Sequence, residues 1–234
     1  MRKLLLVCLS ALALAVGGGA RAADLELKAP APAAVDWSGF YLGGHAGVAM
    51  SSVPFTFTDD LDNSEDLRFS PISYIAGGHA GVQWQFDKWL MGIEGTWSGL
   101  HLNETVASTV TPGESHSISI NEMATATVRF GATWERALFY AKTGYATARM
   151  AVHSVDTVAG LTADNVKWRS GWTAGAGVDY MAFDNIIIGA EFDYYNFNFD
   201  NTNGVYNDGV TPFSISASNG NIYAIMARAS YLFR

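Results

Sequence analysis

The sequence almost lacks cysteine. Cys8 is the only one, and it lies in the apolar run at the start of the chain. If this run is removed during export, no thiol remains, which excludes disulfide bonds, a cysteine nucleophile and thiolate metal ligands. The stability of the protein must therefore come from packing, hydrogen bonds and charge pairs.

Basic residues are also scarce. The chain has 14 Lys and Arg against 22 Asp and Glu, a formal net charge of −8 at pH 7. Loss of residues 1–22 would remove Arg2, Lys3 and Arg21 and no acidic residue, so the remainder would be more negative still. Nucleic acid is therefore not an expected partner.

Long hydrophobic runs are absent after residue 22, which argues against a membrane-spanning helix. The start of the chain reads Met1-Arg2-Lys3, an apolar run from Leu4 to Val16 and the small-residue site Ala20-Arg21-Ala22. This pattern predicts a secretory signal peptide over residues 1–22, cleaved after Ala22. The apolar run is too short to span a bilayer as a helix.

The rest of the chain contains short charged turns that alternate with longer polar connections. After an Ala/Pro-rich stretch at 23–36, interpreted as a flexible periplasmic lead-in, three short charged turns occur at Asp87-Lys88, Glu135-Arg136 and Asp184-Asn185. Longer polar connections lie between them, and this alternation is typical of an outer-membrane β-barrel with periplasmic turns and external loops. The predicted strands are 37–50, 73–86, 89–102, 118–134, 137–153, 166–183, 186–199 and 221–233.

Each predicted strand alternates apolar with polar side chains. In the fourth, Val128 and Phe130 share one face while Thr127 and Arg129 share the other. A soluble barrel also alternates, with its apolar side chains inward. Eight aromatic residues on the apolar face cluster near the short turns or the C-terminus, as expected for a periplasmic aromatic girdle facing lipid: Trp84, Phe86, Trp89, Trp134, Phe139, Tyr180, Tyr231 and Phe233. Residues 37–234 are therefore predicted to form an all-β, eight-stranded antiparallel up-and-down transmembrane barrel.

Charged residues on the opposite face are predicted to line the lumen. The anions are Glu94, Asp179, Glu191 and Asp193, and the cations are Arg129, Lys142, Arg169 and Arg228. An eight-stranded barrel is just wide enough inside for side chains to fill it, and buried charges persist only when they are paired. The lumen is therefore predicted to hold an ion-pair network. The alternative is a small porin or gated channel that uses these charges.

No pattern of catalytic, metal or cofactor residues emerges. Glu191 and Asp193 lie on one strand face, but as members of a crowded charge network they are not an expected acid/base pair. His45 and His79 also carry lumen parity, and a hairpin centred on residue 62 would place them opposite one another. Without a third ligand they are interpreted as neutral histidines bonded to lumen carboxylates, and neither a metal nor a cofactor is expected.

Three segments carry a family resemblance. They are Trp37-Ser38-Gly39-Phe40-Tyr41-Leu42-Gly43-Gly44, Gly-Trp-Thr-Ala-Gly-Ala-Gly-Val at 171–178 and Ile-Ile-Ile-Gly-Ala-Glu-Phe-Asp-Tyr at 186–194. With the final strand, they resemble small alphaproteobacterial outer-membrane surface antigens of the OmpA-like and opacity-protein β-barrel class. The resemblance implies a monomeric, noncatalytic barrel in the cell outer membrane. One departure is that Arg234 follows Phe233, where the family usually ends on phenylalanine.

The leading hypothesis is a noncatalytic barrel that supports envelope integrity and presents loops near 51–72, 103–117, 154–165 and 200–220 to host or environmental ligands. Expected partners are the barrel-assembly machinery during biogenesis and lipopolysaccharide. Arg149, His153 and Trp168 have outward parity near the external rim, where they could meet lipopolysaccharide phosphates. A lipid-modifying enzyme is a third hypothesis, which would need a serine or histidine cluster at one rim.

Overall fold

A computed structural model describes residues 35–58, 64–108, 114–158, 160–198, 202–205, 207–208, 212–217 and 220–234. The predicted signal peptide, its cleavage site and lead-in residues 23–34 lie outside these residues. No helix in the described part of the chain is long and apolar enough to cross a membrane.

The described residues form a closed antiparallel barrel of eight long strands, as predicted. These are β1 (Gly39–Thr58), β3 (Ile72–Phe86), β4 (Trp89–Ala107), β5 (Glu114–Trp134), β6 (Ala137–Asp156), β7 (Leu161–Phe183), β8 (Ile186–Phe197) and β11 (Gly220–Phe233), and the short strands are β2 (Ser64–Phe69), β9 (Thr202–Val205) and β10 (Pro212–Ala217). Each long strand pairs with the next along the chain, and β11 pairs with β1 from Phe40↔Phe233 to Ser52↔Asn221 to close the barrel.

All the long strands except β8, which ends at Phe197, reach further at the loop end than the sequence predicted. β1 continues to Thr58, with β2 on one edge and β10 on the other, and β5, β6 and β7 extend into the loops predicted at 103–117 and 154–165. These extensions are rich in serine, threonine and asparagine, so apolar alternation does not reveal them. Between β2 and β3 the ladder breaks at Ser70 and Pro71, because proline has no N–H to donate.

The three predicted turns lie together at the other end, called here the turn end. Asp87 and Glu135 open the first two turns with φ of 56° and 54°, in the left-handed region that aspartate tolerates better than most residues. The third turn, at Asp184 and Asn185, has no such residue. It uses instead a β-bulge between Met181 and Phe183, where β7 carries one extra residue against β8.

Trp37, predicted to start the first strand, lies before it and inside the barrel. β1 begins at Gly39, whose φ of 143° and close approach to the Phe233 carbonyl suit only glycine. The chain therefore turns inward ahead of the strand, and the indole of Trp37 is fully buried at the turn end.

Candidate functional site in the lumen and on the outer wall

Seven charged side chains meet at mid-height in the lumen. Between 1% and 5% of each residue's surface is exposed, and together they are called the ionic layer: Glu94, Arg129, Lys142, Asp179, Glu191, Asp193 and Arg228. They come from six different strands, because inward positions at the same height of a barrel belong to neighbouring strands.

Arg228 and Lys142 bind the same pair of glutamates. The guanidinium of Arg228 contacts the carboxylates of Glu94 and Glu191. Lys142 Nζ lies 2.7 Å from Glu191 Oε1, 3.0 Å from Asp193 Oδ2 and 3.6 Å from Glu94 Oε1. Lys142 is thus shared among three carboxylates.

Arg129 forms the other half of the layer. Its Nη2 donates to Asp179 Oδ2 at 2.7 Å, and its Nη1 lies 3.4 Å from Glu94 Oε2. Tyr41 joins the two sides, because its hydroxyl accepts from Arg129 Nη1 at 2.8 Å and donates to Glu94 Oε2 at 2.8 Å. The guanidinium also stacks 3.8 Å from the ring centre of Tyr140.

Two further tyrosines donate to the carboxylates. Tyr140 donates to Glu191 Oε2 at 2.6 Å, and Tyr195 donates to Asp193 Oδ2 at 2.9 Å. Oδ1 of Asp179 and Oδ1 of Asp193 are buried and have no hydrogen-bond partner among the described residues. The tyrosine hydroxyls thus supply hydrogen bonds where cations are too few.

The layer holds four carboxylates but only three cations. Arg169, the fourth cation predicted for this network, lies on the same face of β7, half-buried and nearer the loops. It is paired with Ala148 on β6, whereas Lys142 of the ionic layer is paired with Gly175, six residues closer to the turn end of β7. The four-against-four balance expected from the sequence stays a prediction for the lumen as a whole, because inward parity fixes the face of a side chain but not its height.

Glycines make room for these large side chains. A Cβ on Gly175 would strike Asp193 Oδ1, and one on Gly189 would strike Asp179 Oδ1. Gly177 leaves space in the same way for the Tyr140 ring. The narrow interior accommodates charged and aromatic groups because the facing positions on neighbouring strands carry no side chain.

The two lumen histidines form a chain across the barrel next to the ionic layer. His45 Nδ1 lies 3.3 Å from His79 Nδ1, His45 Nε2 lies 2.8 Å from Ser98 Oγ, and His79 Nε2 lies 2.7 Å from Ser230 Oγ. Their expected bonds to carboxylates are replaced by bonds to serines. They are also not directly opposite, because the hairpin pairs His45 with Gly77 and Gly43 with His79.

Apolar side chains fill the lumen on the turn side of the ionic layer. This turn-end plug consists of Trp37, Tyr41, Leu90, Leu138, Tyr140, Met181, Ile187 and Leu232. Its inward positions alternate with girdle aromatics, as Leu90 follows Trp89 and Leu138 precedes Phe139. The same alternation is visible in the sequence, where it predicted the outward girdle but was not used to predict an inward apolar cluster.

Hydrogen bonds hold Trp37 in the turn-end plug. The backbone N–H of Trp37 donates to Gln85 Oε1 at 2.8 Å, and its backbone carbonyl accepts from Gln83 Nε2 at 2.6 Å. Arg234 Nη2 donates to the carbonyl of Asp36 at 2.7 Å, so Arg234 ties the segment before β1 to the end of β11. The N–H of Ser38 donates to the Asp36 carboxylate, which lowers the pKa of that carboxyl.

A second apolar cluster fills the lumen on the loop side. This loop-end core consists of Ala49, Val53, Phe69, Ile75, Leu100, Leu102, Ile118, Ile120, Met123, Ala146, Ala148, Met150, Tyr195, Phe197, Ile222, Ala224 and Met226. It joins the inner faces of β1, β2 and β3 to those of β4, β5, β6, β8 and β11. In the described part of the barrel, the ionic layer is therefore packed between two apolar layers.

This packing limits the chemistry that the lumen can perform. Glu191 and Asp193, the nearest approach to an acid/base pair, are 4% and 1% exposed and bind Lys142 and two tyrosines. No group of three His, Cys, Asp or Glu side chains among the described residues could hold a metal ion. The ionic layer is suited to joining strands, since it links six of them.

The outer wall carries the eight girdle aromatics. All eight point outward near the turn end, and each residue is 47% to 72% exposed. A second aromatic band, not predicted from the sequence, lies toward the loops: Tyr74, Trp97, Tyr145, Trp168, Trp172, Tyr194 and Tyr223. Three of its members lie eight residues from a girdle residue on the same strand, in the pairs Trp89 and Trp97, Trp172 and Tyr180, and Tyr223 and Tyr231. This eight-residue repeat is the feature of the sequence that predicts the second band.

The spacing of the two bands matches a membrane. Eight residues of strand extend about 26 Å, and tilting by ~35–45° shortens this to roughly 20 Å of height. Outer-membrane barrels carry an apolar band about 25 Å tall between two aromatic girdles. Ile93 and Val128, in the zone between the bands, are 55% and 56% exposed.

Comparison with known proteins agrees with this architecture. The sequence model of the outer membrane protein β-barrel domain family matches residues 9–218. The chain is 29% identical over 204 residues to the 31 kDa outer-membrane immunogenic protein of Brucella melitensis, covering 80% of this chain and 85% of that protein. It is 26% identical over 196 residues to the 25 kDa outer-membrane immunogenic protein of Brucella ovis, covering 81% and 87%.

Two solved structures share the fold. OprG from Pseudomonas aeruginosa aligns with a TM-score of 0.50 and 13% identity over 86% of this chain and 98% of that one. The outer membrane protease OmpT from Escherichia coli aligns with a TM-score of 0.53 and 8% identity over 83% and 97%. At these identities the likeness concerns the fold alone.

Proposed function

The chain belongs to the outer membrane protein β-barrel domain family and is an outer-membrane protein like its immunogenic relatives; on that premise we propose that it acts as a noncatalytic, closed barrel. Its work would be to support the integrity of the envelope and to present its loop end to surface ligands. A signal peptide and the barrel-assembly machinery would deliver it to the membrane as a monomer.

The observation that carries the proposal is the filling of the lumen. The turn-end plug and the loop-end core lie on either side of the ionic layer, and Trp37 and Leu90 are fully buried where a pore would open. An open transport path needs continuous space for water or solute, and an acid or base that acts in catalysis must reach its substrate. Structural support and surface display need neither.

The charged lumen is the observation that favours a second function, a small gated channel. Arg129, Lys142 and Arg228 would set its ion preference, as predicted from the sequence. For such a channel to open, the ionic layer and both apolar layers would have to rearrange. The closed barrel is therefore the better-supported function.

Orientation is tested by cysteine labelling, which is clean because Cys8 is the only native cysteine and lies in the predicted signal peptide. Val158, 80% exposed at the β6–β7 connection, and Lys88, in the first turn, are each changed to cysteine. On intact cells, a membrane-impermeant maleimide should label Val158→Cys and leave Lys88→Cys unlabelled, while permeabilised cells should show both. Labelling of Lys88→Cys alone on intact cells would refute the surface display of the loop end.

A further inference from the structure

We propose that the outer wall formed by β3 to β7 binds one lipopolysaccharide molecule, with an acyl chain in a groove of the apolar band and a phosphate at Arg149. This inference rests on the proposed function for one point only, that the loop end faces outward and so places this wall in the outer leaflet. It assigns the lipid a defined binding site on one side of the barrel.

The apolar part of the site is a groove with a volume of about 660 Å³. It crosses the outer wall from β1 to β6 at mid-height, and its volume falls within the ~300–1,000 Å³ typical of small-molecule sites. Ala80, Gly95 and Ala126 lie side by side in the β3–β4–β5 register. Larger residues, among them Ile93 and Val128, lie one outward position nearer the turn end.

The opposite side of the wall presents larger side chains. On the opposite side, Ile188, Phe192 and Ile225 point outward from β8 and β11 and are 47%, 44% and 56% exposed, so bulky side chains project into lipid there. The recess between the two aromatic bands fits an acyl chain held along the barrel.

Aromatic side chains lie directly above the groove. Trp97 is the next outward residue after Gly95 on β4, and its ring centre lies 6.2 Å from that of Trp168 in an edge-to-face contact. Both indoles are about half exposed. Tryptophan at this position marks the boundary between acyl chains and head groups, so the polar part of the lipid would lie one step further toward the loops.

Arg149 occupies that step. In the strand register it stands between Glu122 on β5 and Trp168 on β7. Its side chain is 50% exposed, and its ion pair to Glu122 is long at 4.0 Å. A guanidinium held this loosely can turn its donors to a phosphate, which it binds with two parallel hydrogen bonds. The alternation of side chains in the sequence also predicted that Arg149 and Trp168 both point outward near the external rim.

Hydroxyl and amide groups continue the wall beyond Arg149. Asn103 and Thr105 on β4 point outward beside Ser119 and Ser117 on β5, and Thr105 Oγ1 lies 2.8 Å from Ser117 Oγ. Such groups bind sugar hydroxyls. From the middle of the membrane outward, the wall thus presents an acyl groove, indoles, a guanidinium and hydroxyls, which is the order of parts in a phosphorylated glycolipid and exceeds what a phospholipid offers.

The test measures lipid retained by the purified, full-length mature protein. Gly95→Leu fills the groove, and it is sterically tolerated because a Cβ at Gly95 meets nothing closer than the Thr125 carbonyl at 3.9 Å. Arg149→Ala removes the guanidinium. The matched controls are Ala190→Leu, an outward position on β8, and Arg136→Ala at the turn end. The Arg136 side chain is 40% exposed, with an ion pair to Asp184 of 3.9 Å and a hydrogen bond to the Met181 carbonyl.

Each variant is extracted from outer membranes in mild detergent, its lipopolysaccharide content per barrel is measured, and native mass spectrometry then follows exchange against phosphatidylglycerol. We expect about one lipopolysaccharide per wild-type barrel, resistant to exchange. Arg149→Ala should retain roughly fivefold less, the change expected from one basic residue at a membrane surface. Gly95→Leu should also retain less than the wild type, because the leucine side chain fills the groove. The controls should retain the wild-type amount.

Equal retention by all five proteins would overturn the site, and complete exchange by phosphatidylglycerol would overturn its assignment to lipopolysaccharide. The labelling of Val158→Cys separates this failure from failure of the proposed function. If that label reaches the cysteine on intact cells while lipid retention is unchanged by Gly95→Leu, the surface orientation stands and the lipid site alone is rejected.

Discussion

Replacing Arg228 with methionine is expected to lower the free energy of unfolding by about 3–5 kcal/mol, the usual cost of removing one partner from a buried ion pair. Arg228 contacts Glu94 and Glu191, and it is one of only three cations against four carboxylates. The substitution would leave four carboxylates with Arg129 and Lys142. Methionine fills similar space, so the loss would come from charge rather than from a cavity.

The measurement is urea unfolding of the protein in lipid vesicles, followed by tryptophan fluorescence. Two controls make it specific. Arg149→Met breaks an exposed, 4.0 Å pair and should cost about 0–1 kcal/mol. Asp193→Asn removes one anion, keeps the shape and leaves three charges of each sign, so it should cost less than Arg228→Met. If Asp193→Asn were the more damaging of these two changes, the charge count of the layer would be wrong.

A charge placed on the outer wall should cost nearly as much. Ile93 lies midway between Trp89 and Trp97 on β4 and is 55% exposed. Arginine at the mid-plane of a transmembrane barrel costs about 2–4 kcal/mol, because the guanidinium must leave water for hydrocarbon. Ile93→Arg is therefore expected to lower the free energy of unfolding in vesicles by that amount.

Ile72→Arg supplies the matched control, with the same pair of residue types. Ile72 is 68% exposed and lies beyond the outer aromatic band, where the cost should fall to about 0–1 kcal/mol. In a soluble barrel both positions would face water and both changes would be nearly neutral. Equal, small costs at Ile93 and Ile72 would therefore remove the membrane-facing assignment of the wall.

Local alternation was enough to predict the barrel. Trp84 and Phe86 fall on one face and Gln83 on the other, and the strand that carries them pairs as the short turns require. Side-chain direction has a period of two, so one correct residue fixes the face of a whole strand. The number of strands, their antiparallel order and the closed barrel followed from that rule and are confirmed.

Alternation along a strand does not determine the height of a residue in the barrel or the register between strands. Arg169 has inward parity but lies nearer the loops than the ionic layer, and the offset of His45 from His79 depends on where the β1–β3 hairpin is centred. Trp37 was misplaced because the inward turn at Gly39 follows from tertiary packing against Leu232 and Leu90. These features depend on strand stagger around the closed barrel, which no single strand encodes.

The loop-end extensions show a different limit. Thr105 and Ser117 belong to paired strands, yet serine and threonine alternate with little contrast in hydropathy. Above the membrane, neither face of a strand needs to meet lipid, so the pattern that identifies the lower strands fades. Backbone pairing continues there, and the inner face of an extension still contributes to the loop-end core through residues such as Val53.

Planar-bilayer conductance of the purified, folded barrel tests the central claim most directly, since a closed envelope barrel and a small channel differ in this one property. With the ionic layer packed between the turn-end plug and the loop-end core, we predict no stable current steps across the range of voltages that a bilayer withstands. Reproducible, long-lived channels whose ion preference changes in Arg129→Met would contradict the account and establish the charged lumen as a transport path.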